Sequence, residues 1–408
     1  MIRRRHRWHG AAALGVAPLL CAGALAAAGS GAPLAGASLS GSPSAVPVGT
    51  ATAGVTPTAY VTNSQLNSVS VLEGAHASGT IADVGNGPVG IAAAPGGGRA
   101  YVADYGFNND VAHTLTPIDL VTGKAGKPIT VGTGPMAVAL TPDGDTAVVT
   151  LEGTSSHPGH TAVVVNLVTG RVSAPIDVGL NPEAVAVAPD GQTAYAASLS
   201  SAKVTPIDLA TAPPQAGAPI ALPGTAPRAI AVAPDGHTAY VLDAEGATII
   251  PIDLADDTPG TPTALGCSDA GSHGCTPTAL AFTADGLKAY VAAAGSGDVE
   301  VVTLASMKVT GVLPAGGYPD AVGSGAGWLY VTNGAGNSAS VFTAGKLKGT
   351  PATGMYPFGV AVVAGSGSAT ASTPFTVAPG SPVAGALALP AGPPAPFYGL
   401  PRPSSLPG

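Results

Sequence analysis

Charge is what this sequence has least of: only 9% of its 408 residues are Asp, Glu, Lys or Arg. Fifteen basic residues stand against 23 acidic ones. Four of the basic residues (Arg3, Arg4, Arg5, Arg7) are spent in the first seven positions, so the remaining chain is distinctly acidic. Binding to a phosphate backbone needs clustered Lys and Arg, and no nucleic-acid partner is therefore expected. Cysteine is nearly absent, with three residues in all. Cys21 follows Leu20 rather than the small residue that a lipidated cysteine requires, so lipidation is not expected. Beyond the N-terminal region no segment repeats its apolar residues at the helical period, so helical bundles and α/β folds drop out.

Glycine and proline are abundant instead, with 58 and 40 residues, while 46% of the chain is hydrophobic. That pairing suits many short apolar strands joined by Gly/Pro turns. Residues 1–28 read as a secretory signal peptide: Arg3 to Arg7 form the positive segment, 10–28 the Ala/Leu-rich stretch, and Ala24-Leu25-Ala26 or Ala26-Ala27-Ala28 a small-x-small cleavage site. No membrane span is expected once it is removed. An uncleaved anchor is the competing reading, because the apolar stretch is close to the spanning minimum. Residues 29–56 form a low-complexity linker and 365–408 a Pro/Ala/Gly/Ser-rich tail that cannot bury enough surface to fold. The expected location is secreted or cell-surface. In that setting Cys267 and Cys275, with SDAGSHG between them, read as a local disulfide. Zinc needs more ligands than Cys267, His273 and Cys275 provide.

Between 57 and 364 the chain copies itself. Residues 181–209, NPEAVAVAPDGQTAYAASLSSAKVTPIDL, show the unit: proline, apolar strand, Pro-Asp-Gly turn, second strand, loop, third strand. Anchor prolines recur at Pro88, Pro135, Pro182, Pro227, Pro277, Pro319 and Pro357, a spacing suited to propeller blades of four strands. Second strands follow as AYVTN, AYVAD, AVVTL, AYAAS, AYVLD, AYVAA and LYVTN. In the turns Pro sets φ, Asp bonds nearby backbone and Gly accepts positive φ, so each is a hairpin. Proline within the third strands TPIDL, TPIDL and IPIDL suggests an outer strand with one open side. The chain opens on a second strand and closes on a first strand at Pro357. The two complete one blade, which predicts an all-β fold: a seven-bladed β-propeller of four-stranded antiparallel blades, closed three-plus-one by the C-terminal strand.

Tyr60-Val61-Thr62-Asn63 and Tyr330-Val331-Thr332-Asn333 spell the motif of the YVTN-repeat β-propellers, and the chain resembles that family from about Pro57 to Ala364. Only these two of the seven repeats keep all four letters. The resemblance implies an exported bacterial protein of the YncE-like kind, with a more distant likeness to seven-bladed lactonases. It implies a fold and a compartment more than a reaction.

Strand order places the Pro-Asp-Gly turns on one face and all irregular loops on the other. Two of those loops are long, DYGFNNDVAHTL (104–115) and EGTSSHPGHTA (152–162). Ligand binding is expected there, from Asp104, Glu152, His157 and His160, and with Asp110 these could gather around a divalent cation. The residue after each anchor proline should stand at the mouth of the central channel, and the charged ones are Glu183, Arg228 and Asp320. These either orient a small ligand or, for Glu183 and Arg228 on adjacent blades, form an ion pair within the ring. The recurring tyrosines and the Asp of PIDL are scaffold by their repetition. The functional expectation is a monomeric, non-catalytic scaffold that binds a protein, glycan or small ligand through the long-loop face, without a resident cofactor. The alternative is a lactonase-like hydrolase at the channel mouth.

Overall fold

The computed structural model describes residues 56–363 apart from 108–109, 155 and 268–273. The signal segment, the tail and all but the last residue of the linker lie outside the described residues. Among the described residues helix is limited to one 3-10 turn, Gly334–Gly336, and no helix is long and apolar enough to cross a membrane.

Every anchor proline opens a strand. The seven first strands are Pro88–Ala93, Pro135–Leu140, Pro182–Val187, Pro227–Val232, Pro277–Phe282, Pro319–Gly325 and Pro357–Val363, and they define blades 1 to 7. Each pairs antiparallel with the second strand of its repeat, which pairs with the third, and so outward. Neighbouring first strands touch one another around the axis, and the first strand of blade 7 touches that of blade 1, so the ring closes. Blade 7 is the composite one: Pro357–Val363 pairs with Thr58–Asn63, followed by Ser68–Glu73 and His76–Ile81. The fold is a seven-bladed β-propeller closed three-plus-one.

The turn residues do two jobs. Asp190 Oδ1 accepts the Gln192 amide at 2.9 Å, and Asp235 and Asp285 accept those of His237 and Leu287 at 2.9 and 3.0 Å. Gly191 takes φ +72°, which a side chain would strain, and a Cβ there would stand 3.1 Å from Pro142 Cδ of the preceding blade's turn. The Pro-Asp-Gly turns thus set both the hairpin and the spacing between blades.

Second strands hold a column of small residues at the blade interfaces, with Ala59, Ala100, Ala147, Ala194, Ala239 and Ala289 fully buried. The tyrosines beside them pack between blades: the Tyr240 ring meets Phe282 of blade 5 edge-on at 5.7 Å, and the Tyr330 hydroxyl donates to Pro57 O at 3.3 Å. The threonine of the motif has a distinct task. Thr62 Oγ1 donates to Val89 O of blade 1 at 2.8 Å and accepts the Gly359 amide of its own blade at 2.8 Å. Thr332 repeats this with Phe358 O at 2.8 Å and the Ala321 amide at 2.9 Å. Each hydroxyl stitches one blade to the next at the axis. The two full motifs therefore flank the ring closure, in blades 6 and 7.

The third-strand prolines act differently from the sequence expectation. Lys203–Asp208, which holds Pro206, is not an edge: it pairs with Thr193–Ser198 inward and with two short fragments, Gln215–Ala216 and Ile220–Ala221, outward. The fourth strand breaks in two across a gap that holds its own Pro219, which has no N–H to offer the third strand. Pro117 and Pro251 sit in strands with the same split outer pairing. Blade 2, with Val164 in place of the third-strand proline, is split alike around Pro175, whereas blade 5, whose outer strand Lys308–Pro314 has no internal proline, keeps it continuous.

Candidate functional site

The mouth of the axis is built from a recurrent irregularity. In blade 3, Pro182 pairs with Ser198 and Ala184 with Ala197, which leaves Glu183 without a cross-strand partner. Arg228 and Thr278 occupy the same bulge position in blades 4 and 5. Asp320 lies in a wider break of blade 6. A bulge turns one side chain out of the sheet alternation, and here it turns one per blade toward the axis. Six of the seven residues just before the anchor prolines take positive φ, among them Asn181 (50°), Tyr318 (58°) and Tyr356 (53°). For a tyrosine this conformation costs about 1–2 kcal/mol.

The ring of bulge residues divides into two arcs. Phe358, Val89 and Met136 of blades 7, 1 and 2 are apolar and pack into one cluster with Tyr105 and Tyr356 against it. Glu183, Arg228, Thr278 and Asp320 of blades 3 to 6 form the polar arc. All seven side chains are buried, Glu183 and Arg228 being the most exposed at 7% and 6%. The axis at this level is filled by the protein's own side chains rather than open.

Arg228 Nε lies 3.8 Å from Glu183 Oε2, as the ion-pair reading expects. Two further acids join them. Asp320 is fully buried, and neither of its carboxylate oxygens has a hydrogen-bond partner. Burial raises its carboxyl well above the usual range, against the pull of Arg228. Glu152 is brought in by the long hairpin of blade 2. Its amide donates to Gly134 O at 2.9 Å, which holds it beside the anchor proline. The residue is half-buried, its Oε2 is shielded from solvent, and Tyr105 and Asn181 lie close enough to favour its ionised form. Burial first, then the neighbouring Glu183 charge, raise Glu152 to about 8, and burial raises Glu183 to about 7 although Arg228 opposes it. Three carboxyls thus share one guanidinium in a dry setting, and at least one proton resides among them. Tyr105 and Tyr356 flank the cluster, both with hydroxyls raised by burial and nearby carboxylates.

The remaining sequence candidates go elsewhere. The two long loops are strand extensions: Arg99–Phe107 and Asp110–Asp119 in blade 1, Thr146–Gly153 and Pro158–Asn166 in blade 2, against second and third strands of six residues in blade 3. Asp104 is therefore not a loop residue. It is fully buried, its Oδ2 accepts the Thr114 and Thr116 hydroxyls at 2.7 Å, and it fills the position of the motif asparagines Asn63 and Asn333. Burial raises it to about 6. His157 and His160 are exposed on the blade 2 hairpin, His157 Nδ1 lying 3.1 Å from Ser156 Oγ. Among the described residues these groups form no trio of ligand atoms close enough to share a cation; the one such trio is Cys267, Cys275 and Glu300. Cys267 and Cys275 are joined in a disulfide, while His273 lies outside the described residues. Tyr105 and Asn181 are the site residues that sequence reasoning missed. The signal was present, since Tyr105 aligns with Glu152 in the next blade and both follow the motif's asparagine position.

Neither a family model nor a curated protein sequence matches the chain. Solved structures do. The chain is similar to hydrazine synthase of Kuenenia stuttgartiensis, with TM-score 0.61 and 18% identity over 70% of this chain and 92% of that one. It is similar to a functionally unknown protein of Desulfotomaculum acetoxidans, with TM-score 0.62 and 18% identity over 75% and 98%. It is also similar to the periplasmic gluconolactonase of Pseudomonas aeruginosa, with TM-score 0.62 and 18% identity over 75% and 99%. At such identity it is the propeller fold that is shared.

Proposed function

We propose that this chain is an exported propeller of the YVTN-repeat kind and that the mouth cluster hydrolyses a small cyclic ester. One observation carries the reading: Arg228 Nε stands 3.8 Å from Glu183 Oε2, with Glu152 brought beside them from the preceding blade, and burial raises both carboxyls toward neutral pH. A carboxyl pair that shares a proton supplies one base and one acid at neutral pH. The buried rim has to open to admit the ester and a water; Glu183, the lower of the two, then takes a proton from that water as its oxygen attacks the ester carbonyl. Arg228 stabilises the oxyanion that forms, and Glu152 returns a proton to the departing ring oxygen. Lactonase activity in one structural neighbour, the Pseudomonas gluconolactonase, agrees in class with this chemistry. Export is supported by the disulfide.

A lactone panel followed by acid release in weak buffer tests the proposal. The wild type opens at least one lactone, and Glu152→Gln and Arg228→Gln lower kcat by roughly a hundredfold or more while the fold is retained. Turnover no faster than buffer, or equal turnover in the folded variants, sinks it. A second reading, a non-catalytic scaffold, is favoured by the burial of all seven bulge side chains. It places partner binding on the two long hairpins. Shortening the blade 1 hairpin then removes the bound partner, and equal recovery of partners rules that reading out.

A further inference from the structure

The pair Cys267 and Cys275 lacks ligands for a metal when taken alone, but the fold supplies a third. Glu300, in the third strand of blade 5 (Asp298–Thr303), stands opposite Val291. The same register position holds Thr116, Thr205 and Ile250 in blades 1, 3 and 4. These are hydroxyl or apolar side chains, as a buried site prefers. Glu300 is 1% exposed. Its Oε2 accepts the Gly266 amide at 2.9 Å, and its Oε1 lies 2.8 Å from Cys267 Sγ. Ligand atoms of Cys267, Cys275 and Glu300 all fall within 4.8 Å of one another.

A carboxylate in such a place calls for a positive or proton-bearing partner. A disulfide sulfur has no proton to donate, whereas a thiol donates and a cation attracts. We propose that the dithiol form of Cys267 and Cys275, together with Glu300, binds one soft divalent cation of the zinc type, and that disulfide formation closes this site. An external dithiol opens it by exchange: one reductant sulfur bonds to a cysteine sulfur as the S–S bond breaks, and the second reductant sulfur then displaces that cysteine. The reductant leaves as its own disulfide and the protein holds two thiols. The cation takes the two thiolates and the carboxylate, the thiol protons pass to solvent, and a fourth position remains for water. Tetrahedral bonding at about 2.3 Å per Zn–S bond puts the sulfurs about 3.8 Å apart. Side chains on Cα atoms 5.0 Å apart reach that separation. The inference is independent of the hydrolase reading, since no mouth residue takes part.

The test uses the full chain carrying Cys21→Ser, so that these two cysteines are the sole thiols. Protein reduced with dithiothreitol and desalted under argon is titrated with Cd²⁺ alone, followed by the ultraviolet thiolate-to-cadmium charge-transfer band, and with Zn²⁺ alone by calorimetry. One ion binds per chain, the bound ion protects both thiols from alkylation, and the oxidised protein gives no band. Glu300→Gln weakens binding by at least the tenfold typical of losing even an outer-shell partner. Glu300→Thr, which installs the residue that blades 1 and 3 carry at this register, weakens it alike and guards against a misfolded variant. Affinity unchanged in both variants, or equal binding by the oxidised chain, overturns the proposal.

Discussion

Replacing Glu183 by Gln isolates the contest that sets the state of the mouth. Two forces act on this carboxyl: burial favours its protonated form, and Arg228 at 3.8 Å favours the ionised one. Burial wins, and the group moves from 4.5 to about 7. A carboxyl whose folded value is raised binds its proton more tightly in the folded state. Its contribution to stability is complete below about pH 4.5 and is lost as pH climbs toward 7. At about 1.4 kcal/mol per pH unit the loss amounts to roughly 3 kcal/mol. A propeller of about 300 residues has an unfolding entropy near 0.6 kcal/mol/K, so the thermal midpoint of the wild type falls by about 5 °C between pH 5 and pH 8 on this account. Glutamine has nearly the same shape and does not titrate. Calorimetric scans of both proteins in the same buffers should show the Glu183→Gln midpoint less dependent on pH, with the variant the more stable at pH 8. Parallel curves refute the dominance of burial. A variant that loses stability chiefly at pH 8 shows that the ion pair prevails instead.

Two further perturbations probe the ring itself. Thr332→Val keeps the shape but removes the hydroxyl that bonds Phe358 O and the Ala321 amide, and denaturant unfolding should report a loss of about 1–3 kcal/mol because both groups are buried. Removing the strand Pro357–Val363 takes the first strand from blade 7 and exposes the edge of Thr58–Asn63. Gel filtration should then show aggregation or a loss of the sharp thermal transition, and a stable monomer would refute the closure argument.

The candidate site was only partly legible in the sequence, for a physical reason. Glu183, Arg228 and Asp320 were visible because they break a repeat at a fixed offset from an anchor proline. Glu152 was visible as a residue of an unusual loop, yet its link to Glu183 was not. That link depends on the hairpin of blade 2 remaining paired through Gly153, so that a presumed loop residue is held in a strand against Gly134. Asp104 shows the opposite outcome. Its place in an apparently variable loop suggested ligand binding, but the pairing register puts it in the motif's asparagine slot, where Thr114 and Thr116 bind it.

By itself the sequence determined whatever repeats. Strand period, turn chemistry and the offset between the first and last repeats are local or additive properties, and seven copies of the strand pattern reinforce one another into a single closed ring. Only the tertiary structure decided which departures from the repeat meet. Glu152 with Glu183 and Arg228, and Glu300 with Cys267 and Cys275, are joined across blades or across strands by packing that no local pattern encodes. Burial, also a property of the assembled ring, then sets the protonation of the acids that meet there.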